Sequence, residues 1–499
     1  MNTKNRIILT GLTAFLSQLT SILIALFLPK LIILSYGSDL NGIISAARQY
    51  STYLAMIDSG IAAATCYQFI RAFKDNDIEK IKSLYSTVGK FFRNVAYIVI
   101  FVTIAFSLCY ALILKSTTDI HLIVYIFFMY SLGTIVAFWE FFKYNLVLFS
   151  DGDQYKITFA CIFSSILIFI FQYAFIKLSV NIYIVIAVFP ISILIRLLII
   201  RHMTLAKHPY IREKGHVDNS LISQKWDSIT LNIADSMKTF APIISISCFF
   251  GAAYVSVYAI YESVLHLGSS ILIMCQHGIT PVLGRFFIEK DDVAKQKFEY
   301  LYTVIFVISG IISTCFSGLF LCFIKLYLGA KTDISYIYPL LAIFMIINTW
   351  FLMVRTSYES LIKANGLIRE LRNGAIVEIC LALVFCFIFA KVLGFEYTII
   401  GVIISSAYRT IRMARFCKNR MEFGKKIILN LVIWGTITTA VVLLFKNWFD
   451  SLSIAQFIGY SCLTLIVSTI AYTAVGLLQS SLLRALFVKR IRSLVGEKK

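Results

Sequence analysis

A chain of 499 residues that is 59% hydrophobic and contains only six prolines is neither disordered nor collagen-like. Its apolar residues come in long runs, not in ten-residue alternating segments, which excludes a transmembrane β-barrel. The 46 Lys and Arg against 26 Asp and Glu give a formal charge of +20, which basic loops at anionic headgroups explain without a nucleic-acid partner.

Fourteen apolar runs, each able to cross ~30 Å of hydrocarbon as a helix, lie near 7–35, 43–70, 93–114, 120–148, 157–178, 182–203, 226–249, 251–281, 300–324, 336–362, 372–392, 398–416, 427–445 and 454–476. The sequence therefore predicts an all-α polytopic membrane protein. The first run keeps Thr, Ser and Gln and lacks a small-residue cleavage site, so it reads as a permanent span. Basic and nearly neutral links alternate. With the N-terminus inside, 33 cations fall on inside links, only six (Lys115, Lys177, Lys325, Lys331, Lys391 and Lys446) fall outside, and seven lie within spans. The positive-inside rule then puts both termini in the cytoplasm.

The chain also repeats itself. Lys74-Asp75-Asn76-Asp77 through Lys80, Lys82 and Tyr85 matches Lys290-Asp291-Asp292 through Lys295, Lys297 and Tyr300, an offset of about 215. Pro29 and Pro242, Tyr144 and Tyr358, Ser150-Asp151-Gly152 and Ala364-Asn365-Gly366, and Gly60 and Gly278 recur at nearly the same separation. Two six-helix repeats are expected, residues 1–215 and 216–425, with residues 426–499 adding two C-terminal helices and a basic tail. Six spans per repeat leave both halves in the same orientation, related by an axis along the membrane normal.

Charges at membrane depth are costly and usually face protein or water. Thr10, Thr13, Ser17 and Ser21 form one stripe on span 1, and Asn232, Asp235, Ser236 and Thr239 form another on span 7. Arg48, Ser51, Thr52, Asp58 and Ser59 share a face of span 2; Glu262, His266, Ser269, Ser270 and His277 share one of span 8. Small and hydroxyl residues also serve close helix packing, the plainer reading for any single Ser or Thr. Asp235 with Lys238, Glu140 with Lys143, and Arg355 with Glu359 are spaced to neutralise each other. Lys30 and Arg48 have no acid three or four residues away on the same face, and Arg196 and Arg409 are placed to snorkel to headgroups. A cationic groove follows, with Lys30, Arg48, Lys238 and Arg355 as anion-binding candidates, and with Asp58, Asp235 and Glu262 as candidates for H⁺ or Na⁺ coupling. Pro29 and Pro242 each remove a helix hydrogen bond and are candidate hinges.

The eleven cysteines fall mostly in apolar helices without a C-x-x-C pair, and the six histidines show no metal-ligand spacing. No nucleotide or nucleophile motif occurs, so the sequence points to no enzyme and no resident metal or cofactor.

Fourteen spans in two repeats, Tyr36-Gly37-Ser38-Asp39-Leu40-Asn41-Gly42 after span 1, Gly60, and the basic link Arg71 to Arg93 with Asp75-x-Asp77-x-x-Lys80 resemble the Wzx-type polysaccharide flippases. These belong to the multidrug/oligosaccharidyl-lipid/polysaccharide exporter superfamily. The resemblance implies a bacterial inner-membrane protein that turns undecaprenyl-pyrophosphate-linked oligosaccharide toward the periplasm for O-antigen or capsule synthesis. Lipid-linked oligosaccharide and membrane lipids are the implied partners, with a polysaccharide polymerase and chain-length proteins as further candidates. Superfamily members that flip the peptidoglycan precursor carry cavity cations on helices 1, 2 and 8. Lys30 and Arg48 match the first two, whereas helix 8 has Glu262 and His266 and leaves Lys238 on helix 7 as a substitute. The other reading is an H⁺- or Na⁺-coupled multidrug antiporter of the same superfamily, with the acids holding the coupling ion.

Overall fold

The structure, a computed structural model, describes residues 3–114, 118–213, 215–218, 238–288, 292–329, 332–421, 426–445, 453–485 and 488. Every regular element among them is helical, and nine of these helices are long and apolar enough to cross a membrane. Twelve of the fourteen apolar runs fall on a single helix, the 226–249 run in its described part; the 43–70 run falls on two helices, and the 120–148 run on two helices joined by a π-turn. The protein is thus an all-helical polytopic membrane protein. It divides into two compact units, Met1–Ile260 with Thr332–Ile334, and Tyr261–Lys331 with Ser335–Lys499.

The first unit holds α1 (Thr3–Tyr36), α2 (Ser38–Ala55), α3 (Ile57–Lys74), α4 (Ile78–Ile113), α5 (Ile120–Val136), α6 (Phe142–Ser150), α7 (Gln154–Lys177), α8 (Ile182–Lys207) and α9 (Lys238–Phe249). A π-helical turn, Ala137–Phe141, joins α5 to α6. Helix starts follow local chemistry: the side chains of Asp77, Asp119 and Asn181 each accept a backbone N–H of the first turn of α4, α5 and α8. Leu84, Phe92, Phe138, Val147, Leu148, Ala160 and Ile200 build a core between α4, α6, α7 and α8.

The links of this unit gather at two ends, as alternating spans require. At one end Asp153, almost fully buried, meets Lys156 at 2.7 Å, Lys207 at 2.8 Å and Arg6 at 3.3 Å. Asp151 meets Lys207 and His208, the latter at 2.9 Å, and the His208 ring packs on Phe73 of α3. Burial raises both carboxyls, but the hydrogen bonds and charges of their cationic partners outweigh it and hold them below the usual carboxylate range. The ties are therefore complete at neutral pH and are lost as pH falls through those depressed values. At the opposite end the Tyr36 hydroxyl donates to Val180 O at 2.7 Å, Thr118 to Asp39 at 2.8 Å, and Asp333 accepts from both the backbone and the hydroxyl of Ser38.

The second unit holds most of α10 (Ala252–Ile288), then α11 (Asp292–Leu328), α12 (Pro339–Ala364), α13 (Ile368–Val392), α14 (Thr398–Met421), α15 (Lys426–Phe445) and α16 (Ile454–Gln479). The last two are built into it. Trp434 of α15 stacks on Trp350 of α12 at 4.9 Å and donates to Ser313 of α11 at 2.6 Å. Asn430 donates to Tyr302, and Thr314 joins Thr438 and the Tyr472 hydroxyl. The Tyr472 ring lies against Gly310, where any added Cβ would come within 2.3 Å of it.

Several backbone features recur at close to the offset of the sequence landmarks. Asp151 and Asn365 close α6 and α12 at φ −84°, ψ 2° and φ −88°, ψ 2°. Gly152 and Gly366 follow at φ 78° and 70°, each donating to the carbonyl three residues back. Gly37 and Gly251, which precede α2 and α10, share φ 91° and 94°. Tyr85 packs on Tyr144 at 5.7 Å, and its counterpart against Tyr358 is Tyr302 at 5.4 Å. The expected Tyr85 to Tyr300 match is therefore two residues out of register.

Where α2 and α10 begin, they touch. A Cβ at Gly42 would lie 1.8 Å from Ala252 O, and Asn41 donates to Ser256 at 2.7 Å. Gly42→Val is accordingly expected to destabilise the protein by about 1–3 kcal/mol, because a backbone atom cannot move aside as a side chain would. A melting temperature equal to wild type in detergent would contradict that approach.

Candidate functional site

The segment expected as one helix over 43–70 is two. Gly37, in a conformation that favours glycine, starts α2 early, and a tight turn at Met56, whose N–H bonds Tyr53 O at 3.2 Å, separates α2 from α3. Arg48 and Asp58 consequently lie on successive helices, joined at Met56 with φ −67° and ψ −14°. Ser51, placed on one face with Arg48 by spacing, is dry: it is buried and bonds Tyr130 O at 2.9 Å and the Thr134 hydroxyl at 2.7 Å. Close packing against α5 accounts for it. Thr52 remains exposed and donates to Arg48 O at 2.9 Å, while the Tyr53 hydroxyl pairs with Thr239 of α9 at 2.6 Å.

Two charges in this region have no side-chain partner among the described residues. The guanidinium of Arg48, half-buried one turn before Thr52, forms no ion pair or hydrogen bond, and neither does the half-buried carboxylate of Asp58. Lys30, half-buried on α1, and Lys238, buried at the start of the described part of α9, are both engaged with other groups, as is Glu262 on α10. Asp235 lies outside the described residues. Pro29 is buried inside an unbroken α1, and Pro242 inside the described stretch of α9, so neither interrupts its helix.

The second unit corrects the placement of Arg355 and Arg409. Arg355, expected on an open cationic groove, is 6% exposed and bonds Glu378 at 2.8 Å with Glu359 at 3.8 Å. Arg409, expected to snorkel, is fully buried and bonds the other oxygen of Glu378 at 2.6 Å. Lys363 completes the chain with Glu359 at 2.7 Å. One carboxylate thus clamps cations from α12 and α14. Helical spacing identified Glu359 but not Glu378, which lies 23 residues from Arg355 and on another helix; only the fold brings them together. In the first unit the expected pair is present, with Lys143 donating to Glu140 at 2.8 Å.

No protein-family model matches this chain, and no curated protein matches it. Among solved structures it is similar to a lipid II flippase MurJ in an inward closed conformation, with a TM-score of 0.75 over 94% of this chain and 99% of that one, at 13% identity. It is also similar to an inward-facing multidrug resistance MATE family transporter of the MOP superfamily, with a TM-score of 0.68 over 82% and 96% at 14% identity. A MATE in the bent conformation follows at 0.56 and 15% identity, over 85% and 97%. The chain shares its fold with these transporters.

Proposed function

We propose that this protein is a flippase that carries undecaprenyl-pyrophosphate-linked oligosaccharide units across the bacterial inner membrane for assembly of a surface polysaccharide such as O-antigen or capsule. The observation that carries the reading is Arg48. A half-buried guanidinium with no acid beside it among the described residues is stabilised best by an anion that visits it, and its fork matches phosphate oxygens bidentately. Likeness in fold to a lipid II flippase supports the same class of task, since such a substrate has a charged, hydroxyl-rich head that must pass ~30 Å of hydrocarbon while its tail stays in lipid. Differential binding of the head during a change of conformation is sufficient, and no covalent step is needed.

Deletion of the gene in its native host is expected to leave lipid-linked glycan on the cytoplasmic leaflet and to remove the polysaccharide from the surface. Normal polymer in the deletion strain would dismiss the proposal. Asp58 favours one other reading, a cation-coupled multidrug antiporter, because a half-buried carboxylate with no partner among the described residues is a place for H⁺ or Na⁺. In that case deletion would raise drug sensitivity and spare the glycan.

The proposal includes an orientation, drawn from the 33 to 6 cation split. Cysteine labelling from outside should miss positions near Lys82, Lys214, Lys295 and Lys418 and reach positions near Asn41, Lys331 and Lys446. Outside labelling at Lys295 would break the parallel arrangement of the repeats.

A further inference from the structure

The first unit contains a basic cavity that the transport reading does not use. It measures about 830 Å³ and lies between α4, α6, α8 and the segment after α8. That segment is strapped onto the first turns of α4. Glu213 bonds Lys82 at 2.6 Å, Ser83 donates to His216 O at 2.7 Å, and Gly215 N–H donates to Ser86 at 2.9 Å. Gly215 is required there, since a Cβ would lie 2.3 Å from the Lys82 carbonyl carbon.

Five cations line the cavity: Lys90 and Arg93 from α4, Lys143 from α6, Arg201 from α8, and Arg212. Its two acids are already committed, Glu140 to Lys143 at 2.8 Å and Glu213 to Lys82. Lys90, Arg93, Arg201 and Arg212 form no ion pair with any described acid. Four positive charges with no ion-pair partner among the described residues therefore line one space, an arrangement that raises the local concentration of anions.

A second observation says what kind of anion. One turn beyond Arg93 on α4, Tyr97 is 55% exposed, and its ring meets Trp139, 37% exposed on the π-turn next to Glu140, edge-on at 5.2 Å. Exposed Tyr and Trp side chains settle at headgroup depth. On α8 the exposed Leu198 sits three residues before Arg201, so apolar surface continues directly into the basic wall. π-turns concentrate at functional sites, and this one supplies both Trp139 and Glu140.

We infer that this cavity binds the phosphate-bearing headgroup of an anionic membrane lipid, with Arg93 and Arg201 on the phosphate oxygens and the acyl or prenyl chain lying past Tyr97 and Trp139. It involves none of the charges on α2 and α3, so it stands whether or not Arg48 meets a transported substrate. Basic pockets between transmembrane helices hold lipid headgroups by this chemistry.

Delipidated full-length protein in detergent would be titrated, with bound mass read by native mass spectrometry. The probes are cardiolipin, phosphatidylglycerol, farnesyl pyrophosphate, inorganic pyrophosphate and, as a zwitterionic control, phosphatidylcholine. At least one of the three anionic lipids is expected to bind, and the double variant Arg93→Gln/Arg201→Gln to bind it about thirtyfold more weakly. Arg93→Lys/Arg201→Lys, which keeps the charge and loses the fork, should fall between the two. Control substitution of Lys177, which lies at the opposite end of the unit, should change nothing. Equal affinity of wild type and both double variants would overturn the site. Binding of inorganic pyrophosphate as tight as that of the lipids would identify a soluble phosphate compound and overturn the lipid assignment, and so would phosphatidylcholine binding as tight as the anionic lipids.

Discussion

Arg48→Ala is expected to abolish surface polysaccharide and trap lipid-linked units on the cytoplasmic leaflet while the protein accumulates at wild-type abundance. The second half of that outcome matters as much as the first. Because Arg48 forms no ion pair or side-chain hydrogen bond among the described residues, its removal leaves no buried acid without a partner, and folding should not suffer. Arg48→Lys should retain partial transport, since it keeps the charge and loses the bidentate fork. Lys30→Ala should act in the same direction more weakly, because Lys30 already has partners to occupy it. Wild-type polymer in Arg48→Ala would remove the central argument for an anionic substrate.

Glu378→Ala is expected to do the reverse: little folded protein should survive, and what survives should not distinguish substrates. Arg355 and Arg409 would be left facing each other, nearly or fully buried, without the carboxylate that bridges them. Removing one member of a buried ion pair costs about 3–5 kcal/mol, a large share of the stability of an ordinary domain. The measurement is thermal unfolding in detergent alongside membrane abundance. An unshifted midpoint would show that Arg355 and Arg409 do not depend on Glu378. Arg409→Met in the Glu378→Ala background should recover part of the loss, since it removes one of the stranded charges.

The membrane class was legible, and the two-repeat plan could be drawn, because both rest on long-range averages. Hydropathy over some twenty residues and an offset recurring at several landmarks both survive local error. Backbone punctuation extended that reading, and the pair Gly37 and Gly251 could have been found as a further match at the same offset. The site was harder to read. Helical periodicity sees partners three or four residues apart, so it found Glu140 with Lys143 and Glu359 with Arg355, and missed Glu378, which no spacing connects to two arginines on other helices. It also carried one helix across Met56, where α2 ends and α3 begins without a proline to announce it. The anionic-lipid cavity was invisible for the same reason. Lys90, Arg93, Arg201 and Arg212 read as ordinary loop cations until α4 and α8 stand side by side.

The way α15 and α16 are built into the second unit bears on synthesis. Trp350, Ser313 and Gly310 find their partners in Trp434 and Tyr472, residues made long after them. At ordinary translation rates roughly ten seconds separate Trp350 from Tyr472 at the ribosome. During that interval the polar line of α11 must face lipid, the insertion machinery or a makeshift partner within the nascent bundle. The last two helices are then the closing step of assembly, and a chain that stops before them presents unsatisfied hydroxyls to quality-control proteases.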